Sequence, residues 1–118
     1  MPLPKKPSLT RDPSEKTILV VEDEPITRHL LGSIIEDETP YHAALASSGR
    51  QALEVVQTIQ PHLFSLDYFL PDMNGVELYE RLRQIEHLST IPTIFLTTQE
   101  MSSVCHAPGI LSIRKPFD

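Results

Sequence analysis

Four short, mostly apolar runs, each ending at a residue able to do chemistry, constrain this chain more than any other feature. Ile18 to Val21 ends in Glu22-Asp23, and His62 to Leu66 ends in Asp67. Ile91 to Leu96 ends in Thr97-Thr98, and Ile110 to Ile113 ends in Arg114-Lys115-Pro116. The first run, Ile18 to Val21, is continuously apolar and rich in β-branched residues, as a strand buried on both faces would be. Tyr41 to Ala46 is a plausible further strand.

The segments between them carry helical grammar. Pro25 follows Glu24, where the first turn of a helix tolerates proline. Ile26, Leu30, Leu31, Ile34 and Ile35 then repeat at helical spacing, and Pro40 stops the run. Ser48 and Gln51 match a capping box ahead of the stripe Ala52, Leu53, Val56 and Ile59, which Pro61 closes. Asn74 and Glu77 repeat that grammar ahead of Val76, Leu78, Tyr79, Leu82 and Ile85. Residues Gln99 to His106 have room for only a turn or two of helix before Pro108-Gly109.

Strands alternating with helices imply parallel βα units with right-handed crossovers. The site of such an open sheet lies beyond the carboxyl ends of its strands, where strand order reverses. Asp23, Asp67, Thr97 and Lys115 each follow a strand, so the topology predicts that they meet.

The chain has 118 residues, a size for one domain. Residues 1–16 hold Pro2, Pro4, Pro7 and Pro13 among polar neighbours and read as a flexible leader, leaving 17–118 as the folded domain. A formal net charge of -6 gives no support for binding nucleic acid or an anionic membrane surface. Apolar runs stop far short of the roughly 20 residues that span a bilayer. The leader lacks the apolar centre of a signal peptide, and the lone Cys105 cannot form an internal disulfide, so a cytoplasmic location is expected.

A carboxylate is a weak nucleophile toward an anionic phosphoryl group, and a bound Mg²⁺ removes much of that repulsion. Mg²⁺ takes oxygen ligands, usually one or two carboxylates with water and phosphate. Asp23 and Asp67 suit that role, with Glu22 acting through water. Lys115 supplies a compact cation for the phosphoryl oxygens, and Thr97 a hydroxyl donor. Singly, each residue has an ordinary reading. Glu22, Asp23 and Glu24 would favour the positive end of a helix. Asp72 and Asn74 beside Gly75 are turn chemistry. The ordered set at successive strand ends is what carries weight.

These residues resemble a response-regulator receiver domain, the phospho-acceptor module of two-component signalling. Glu22-Asp23 matches the acidic pair, and Asp67 the acceptor, with Pro71, Met73 and Gly75 following in the family's pattern. Thr97 matches the switch hydroxyl and Lys115-Pro116-Phe117 the terminal lysine motif. The resemblance implies a flavodoxin-like, doubly wound, parallel five-stranded sheet of order 2-1-3-4-5. It implies Mg²⁺ held by Glu22, Asp23, Asp67 and the backbone carbonyl of Phe69, with Thr97 and Lys115 on the phosphoryl oxygens. It further implies phosphotransfer from a histidine kinase or phosphotransfer protein. The output then passes through a downstream partner or a flanking domain. Such a chain catalyses only its own phosphorylation and dephosphorylation and is not otherwise an enzyme.

The chain departs from the family in several places. Glu22 stands where an aspartate is commoner, and Thr98 where a smaller residue is usual. Lys115 follows Thr97 by 18 positions, which is short for the family and implies a shortened fourth helix. Ser112 stands where an aromatic switch residue is frequent. The fifth helix is expected to be absent, leaving an apolar face for a second copy in a homodimer, a neighbouring domain or the leader to cover. The alternative is a phosphorylation-independent interaction module with a vestigial site, which the odd stretch from Gln99 to Ser112 favours and the full acid–Asp–Thr–Lys set opposes. An aspartate-nucleophile hydrolase would want a second acid two residues past the nucleophile, where Phe69 stands. His29, His42, His62, His87 and His106 show no metal-ligand spacing and read as surface or loop residues. Cys105 reads as an inert apolar residue.

Overall fold

The computed structural model describes residues 16–97 and 110–114. Its elements run β1 (Thr17–Val21), α1 (Pro25–Glu38), β2 (His42–Ala46), α2 (Gly49–Val55), β3 (Leu63–Asp67), α3 (Gly75–Arg83), β4 (Thr93–Thr97) and β5 (Ile110–Arg114). A single turn of 3-10 helix at Glu86–Leu88, without a sequence counterpart above, leads into β4. The strands form one parallel sheet of order β2-β1-β3-β4-β5. The order turns back at β1, whose neighbours are β2 and β3. This is the doubly wound, flavodoxin-like arrangement, and its reversal puts a crevice at the ends of β1 and β3.

Strand parity decides which residues face which layer. Leu19 and Val21 of β1, Phe64 and Leu66 of β3 and Phe95 of β4 join Ala52 and Val56 of the second helical segment and Leu78, Tyr79 and Leu82 of α3 in one buried core. Phe95 and Tyr79 meet edge to face at 5.8 Å between centroids. Phe95 is fully buried. Phe95→Ala is therefore expected to cost about 3–5 kcal/mol by lost transfer energy and a residual cavity. Urea unfolding would check this, and an unchanged midpoint would refute the core assignment.

α1 covers the opposite face. Its one fully enclosed residue is Gly32, where an added Cβ would lie 3.2 Å from the side chain of Leu45. The apolar stripe of α1 forms the expected helix but lies mostly away from this seat. Ile26, Leu30 and Ile34 are exposed, at 77%, 44% and 42%, and only Leu31 and Ile35 of the five are partly buried. At about 100° per residue, positions 26, 30 and 34 lie roughly half a turn from Gly32.

One histidine differs from the surface-or-loop reading, and a second, His62, lies partly buried in the loop before β3. His42 is buried within β2, its Nδ1 3.2 Å from a Glu36 carboxylate oxygen, whose other oxygen accepts the Ala43 N–H at 2.8 Å. His62 Nδ1 accepts the Thr17 N–H at 3.1 Å. Both rings serve the start of the sheet, a long-range role that spacing cannot reveal. The expected leader, the shortened fourth helix, the missing fifth helix, Cys105 and His106 lie outside the described residues.

Candidate functional site

The acidic turn after β1 divides its three carboxylates between two tasks. Glu24 caps α1: its Oε2 accepts the Thr27 N–H at 2.6 Å, with Pro25 at the first helical position. That backbone N–H holds the Glu24 carboxyl below its usual pKa. Glu22 and Asp23 turn instead toward β3. One carboxylate oxygen from each of Glu22, Asp23 and Asp67 lies within 4.8 Å of the others. Glu22 and Asp67 are buried, at 0% and 4% exposure, while Asp23 is open to solvent.

The surrounding backbone fixes this convergence. Glu22 Oε2 accepts the Glu24 N–H at 3.1 Å, so the longer side chain is tied to its own turn. Arg28, one turn into α1, donates from Nη1 to the carbonyls of Glu22 at 2.9 Å and Asp23 at 3.3 Å. The Glu22 N–H donates to the Ala46 carbonyl at 3.0 Å, continuing the β1–β2 ladder one residue past the strand.

On the β3 side, the loop from Tyr68 to Asn74 folds back on itself. Phe69 bridges to Asn74, and the Gly75 N–H donates to the Tyr68 carbonyl at 2.6 Å. Asn74 and Glu77 form the expected reciprocal cap on α3. Phe69 is half exposed, its ring edge-on to Tyr68. Asp72, read from the sequence as turn chemistry, reaches across to α2. Its two oxygens accept the N–H groups of Gly49 at 2.9 Å and Arg50 at 2.8 Å. Burial raises the Asp72 pKa, but these backbone bonds outweigh it and the carboxyl sits below its usual value. At neutral pH it is therefore a full acceptor.

Thr97 ends β4, its backbone in register with Arg114 of β5. Lys115 and Thr98 lie outside the described residues. The three acids, Asp67 ending β3 and Glu22 and Asp23 just after the adjacent parallel β1, offer the hard oxygen donors that a small divalent cation takes. Clustered carboxylates repel, and a cation among them offsets that repulsion. The donor set thus fits the metal implied by the sequence.

A family model described as the response regulator receiver domain matches residues 18–117. The chain belongs to the receiver-domain family. The chemotaxis protein CheY4 of Vibrio cholerae superposes with a TM-score of 0.81 at 25% identity, covering 89% of this chain and 90% of that one. A CheY-like receiver domain protein from Methanospirillum hungatei gives 0.78 at 27% identity, covering 89% and 85%. In sequence, this receiver domain is 33% identical over 86 residues to the signal transduction histidine-protein kinase BarA of Escherichia coli, covering 73% of this chain and 9% of that protein. It is 37% identical over 84 residues to an uncharacterised 14.6 kDa protein of Leptolyngbya boryana, covering 71% and 63%. The chain thus spans less than two thirds of the length of either relative. As a receiver domain it is a module of two-component signalling, and among its described residues no helix is long and apolar enough to cross a membrane.

Proposed function

We propose that this receiver domain is a phospho-acceptor switch that takes a phosphoryl group onto Asp67. The convergence of Glu22, Asp23 and Asp67 at the crevice carries this reading. Glu22, Asp23, Asp67 and the Phe69 carbonyl would hold Mg²⁺. When bound, the ion supplies charge neutralisation and orientation of the phosphoryl oxygens. An Asp67 oxygen attacks phosphorus in line with the leaving group of the donor, a phosphohistidine on a histidine kinase or phosphotransfer protein. The phosphorus–oxygen bond forms as the phosphorus–nitrogen bond breaks, and the departing imidazole takes a proton from water. Thr97 and Lys115 would bind the phosphoryl oxygens, Lys115 directly following the edge strand of a five-stranded sheet. The chain is a switch rather than a metabolic enzyme, working in the cytoplasm through a protein partner or a flanking output domain. Exposed Ile26, Leu30 and Ile34 offer apolar area for such a partner or a second copy.

The test is intact mass after incubation with Mg²⁺ and a small acyl phosphate, with Asp67→Asn beside the wild type. One phosphoryl adduct on the wild type, lost in the variant and on chelation of Mg²⁺, is the expected outcome. No adduct on the wild type would replace this reading with that of an interaction module bearing a vestigial site.

A further inference from the structure

We propose that Asp72 is a positioning residue for the metal site, clamping the loop that carries Phe69 to the start of α2. The inference rests on the phospho-acceptor reading above and extends it to a residue outside the acidic cluster.

The first N–H groups of a helix have no partner within it and are ordinarily met by the residue just before. In α2 that residue, Ser48, takes only the Gln51 N–H, at 3.1 Å. The N–H groups of Gly49 and Arg50 are taken by Asp72, more than twenty positions away in the loop after β3. Each carboxylate oxygen takes one of them, so the carboxylate is fixed in direction as well as place. Met73 adds a packing contact. Its side chain lies so close to Gly49 that an added Cβ would come within 2.5 Å of Sδ. Asp72 and Met73 therefore hold one side of the loop against α2.

The other side of the same loop presents Phe69. The Phe69–Asn74 bridge and the Gly75 to Tyr68 hydrogen bond close the loop into a small ring. A shift of Asp72 would thus move the Phe69 carbonyl relative to Asp67. Asp72 and Arg50 are exposed, while Gly49 is buried beneath Met73. Water can replace the lost acceptor at Arg50, whereas the buried Gly49 N–H loses its partner, so removing the carboxylate should disturb the geometry of this junction. Residues that orient metal ligands without touching the ion commonly change affinity 10–100-fold when removed.

The experiment measures Mg²⁺ affinity of the full chain by titration calorimetry for wild type, Asp72→Ala, Asp72→Asn and Ser48→Ala, with acyl-phosphate labelling in parallel. Asp72→Ala is expected to weaken Mg²⁺ about tenfold, while its labelling rate at saturating Mg²⁺ stays within about twofold of wild type. Asp72→Asn keeps one acceptor oxygen and should fall between. Ser48→Ala removes the local cap of the same helix and should leave Mg²⁺ affinity unchanged. If Asp72→Ala fails to fold, the Asn variant carries the comparison. Equal Mg²⁺ affinities for Asp72→Asn, Ser48→Ala and wild type would overturn the proposal. A wild type that binds Mg²⁺ but takes no phosphoryl group would overturn the phospho-acceptor reading alone, since the calorimetric series would still decide the role of Asp72.

Discussion

Gly75→Ala is expected to destabilise the domain by about 3 kcal/mol and to slow or abolish labelling of Asp67. An alanine Cβ at this position would fall 2.5 Å from the Asp67 carbonyl oxygen and 3.0 Å from the Tyr68 Cα. Both are backbone atoms, so no side-chain rotation relieves the contact. Gly75 opens α3, and on helix propensity alone alanine would be preferred. It would also gain about 0.4–1 kcal/mol from a less flexible unfolded chain. The clash exceeds that gain because relief requires moving the strand end that bears the acceptor. Gly32→Ala is the matched control. The atoms nearest its Cβ would be those of the Leu45 side chain, at 3.2 Å, which can yield. That variant should be neutral or slightly stabilised. Denaturant midpoints for the two variants decide the matter, and a Gly75→Ala protein as stable as Gly32→Ala would sink the argument.

Saturation with Mg²⁺ is expected to raise the melting temperature by on the order of 10 °C relative to excess chelator. A ligand that binds only the folded state stabilises it by about 2.7 kcal/mol at 100 times its dissociation constant. For a domain of this size that free energy corresponds to a shift of that order. Asp23→Asn should remove most of the effect. Asp23 is exposed, so the substitution deletes a ligand charge without opening a hole in the core. It also removes a like charge beside buried Glu22 and Asp67. The metal-free variant should therefore be at least as stable as metal-free wild type. Thermal melts with and without Mg²⁺ test both parts. Superimposed wild-type curves would show that the acid cluster does not hold the ion.

What the sequence made legible was whatever local pattern or strand order could carry. Mostly apolar runs located β1, β3 and β4, and the polar residues closing the first two placed Glu22, Asp23 and Asp67 at one sheet edge. Asn74 and Glu77 are three residues apart, so their reciprocal cap was readable. Ser48 and Gln51 share that spacing, yet only half of the box forms. Ser48 takes the Gln51 N–H, while the Gln51 side chain turns to Ser47, at 2.6 Å from its N–H. The acidic turn was ambiguous because capping and metal binding want the same residue type. The fold resolves it, giving Glu24 to the helix and Glu22 and Asp23 to the site. Asp72 was misread as ordinary turn chemistry, since its partners lie on another element and leave no local signature. The α1 stripe located the helix but not the face that packs. Periodicity records that apolar residues share a face, and Gly32, with no side chain to register in a hydropathy pattern, marks the face that packs.

The carboxylate of Glu36 has a consequence for how this molecule behaves in a crowd. β2 is the outermost strand on its side of the sheet, and such a strand is a template onto which a neighbouring chain can zip. Ala43 is the second residue of that strand, and its N–H is already taken by Glu36. A would-be edge-to-edge neighbour must first evict a charged group and then leave it near its own backbone carbonyls. A single acidic side chain from α1 thereby discourages fibrous self-association at the margin of the sheet where the strand is composed almost entirely of alanine and leucine.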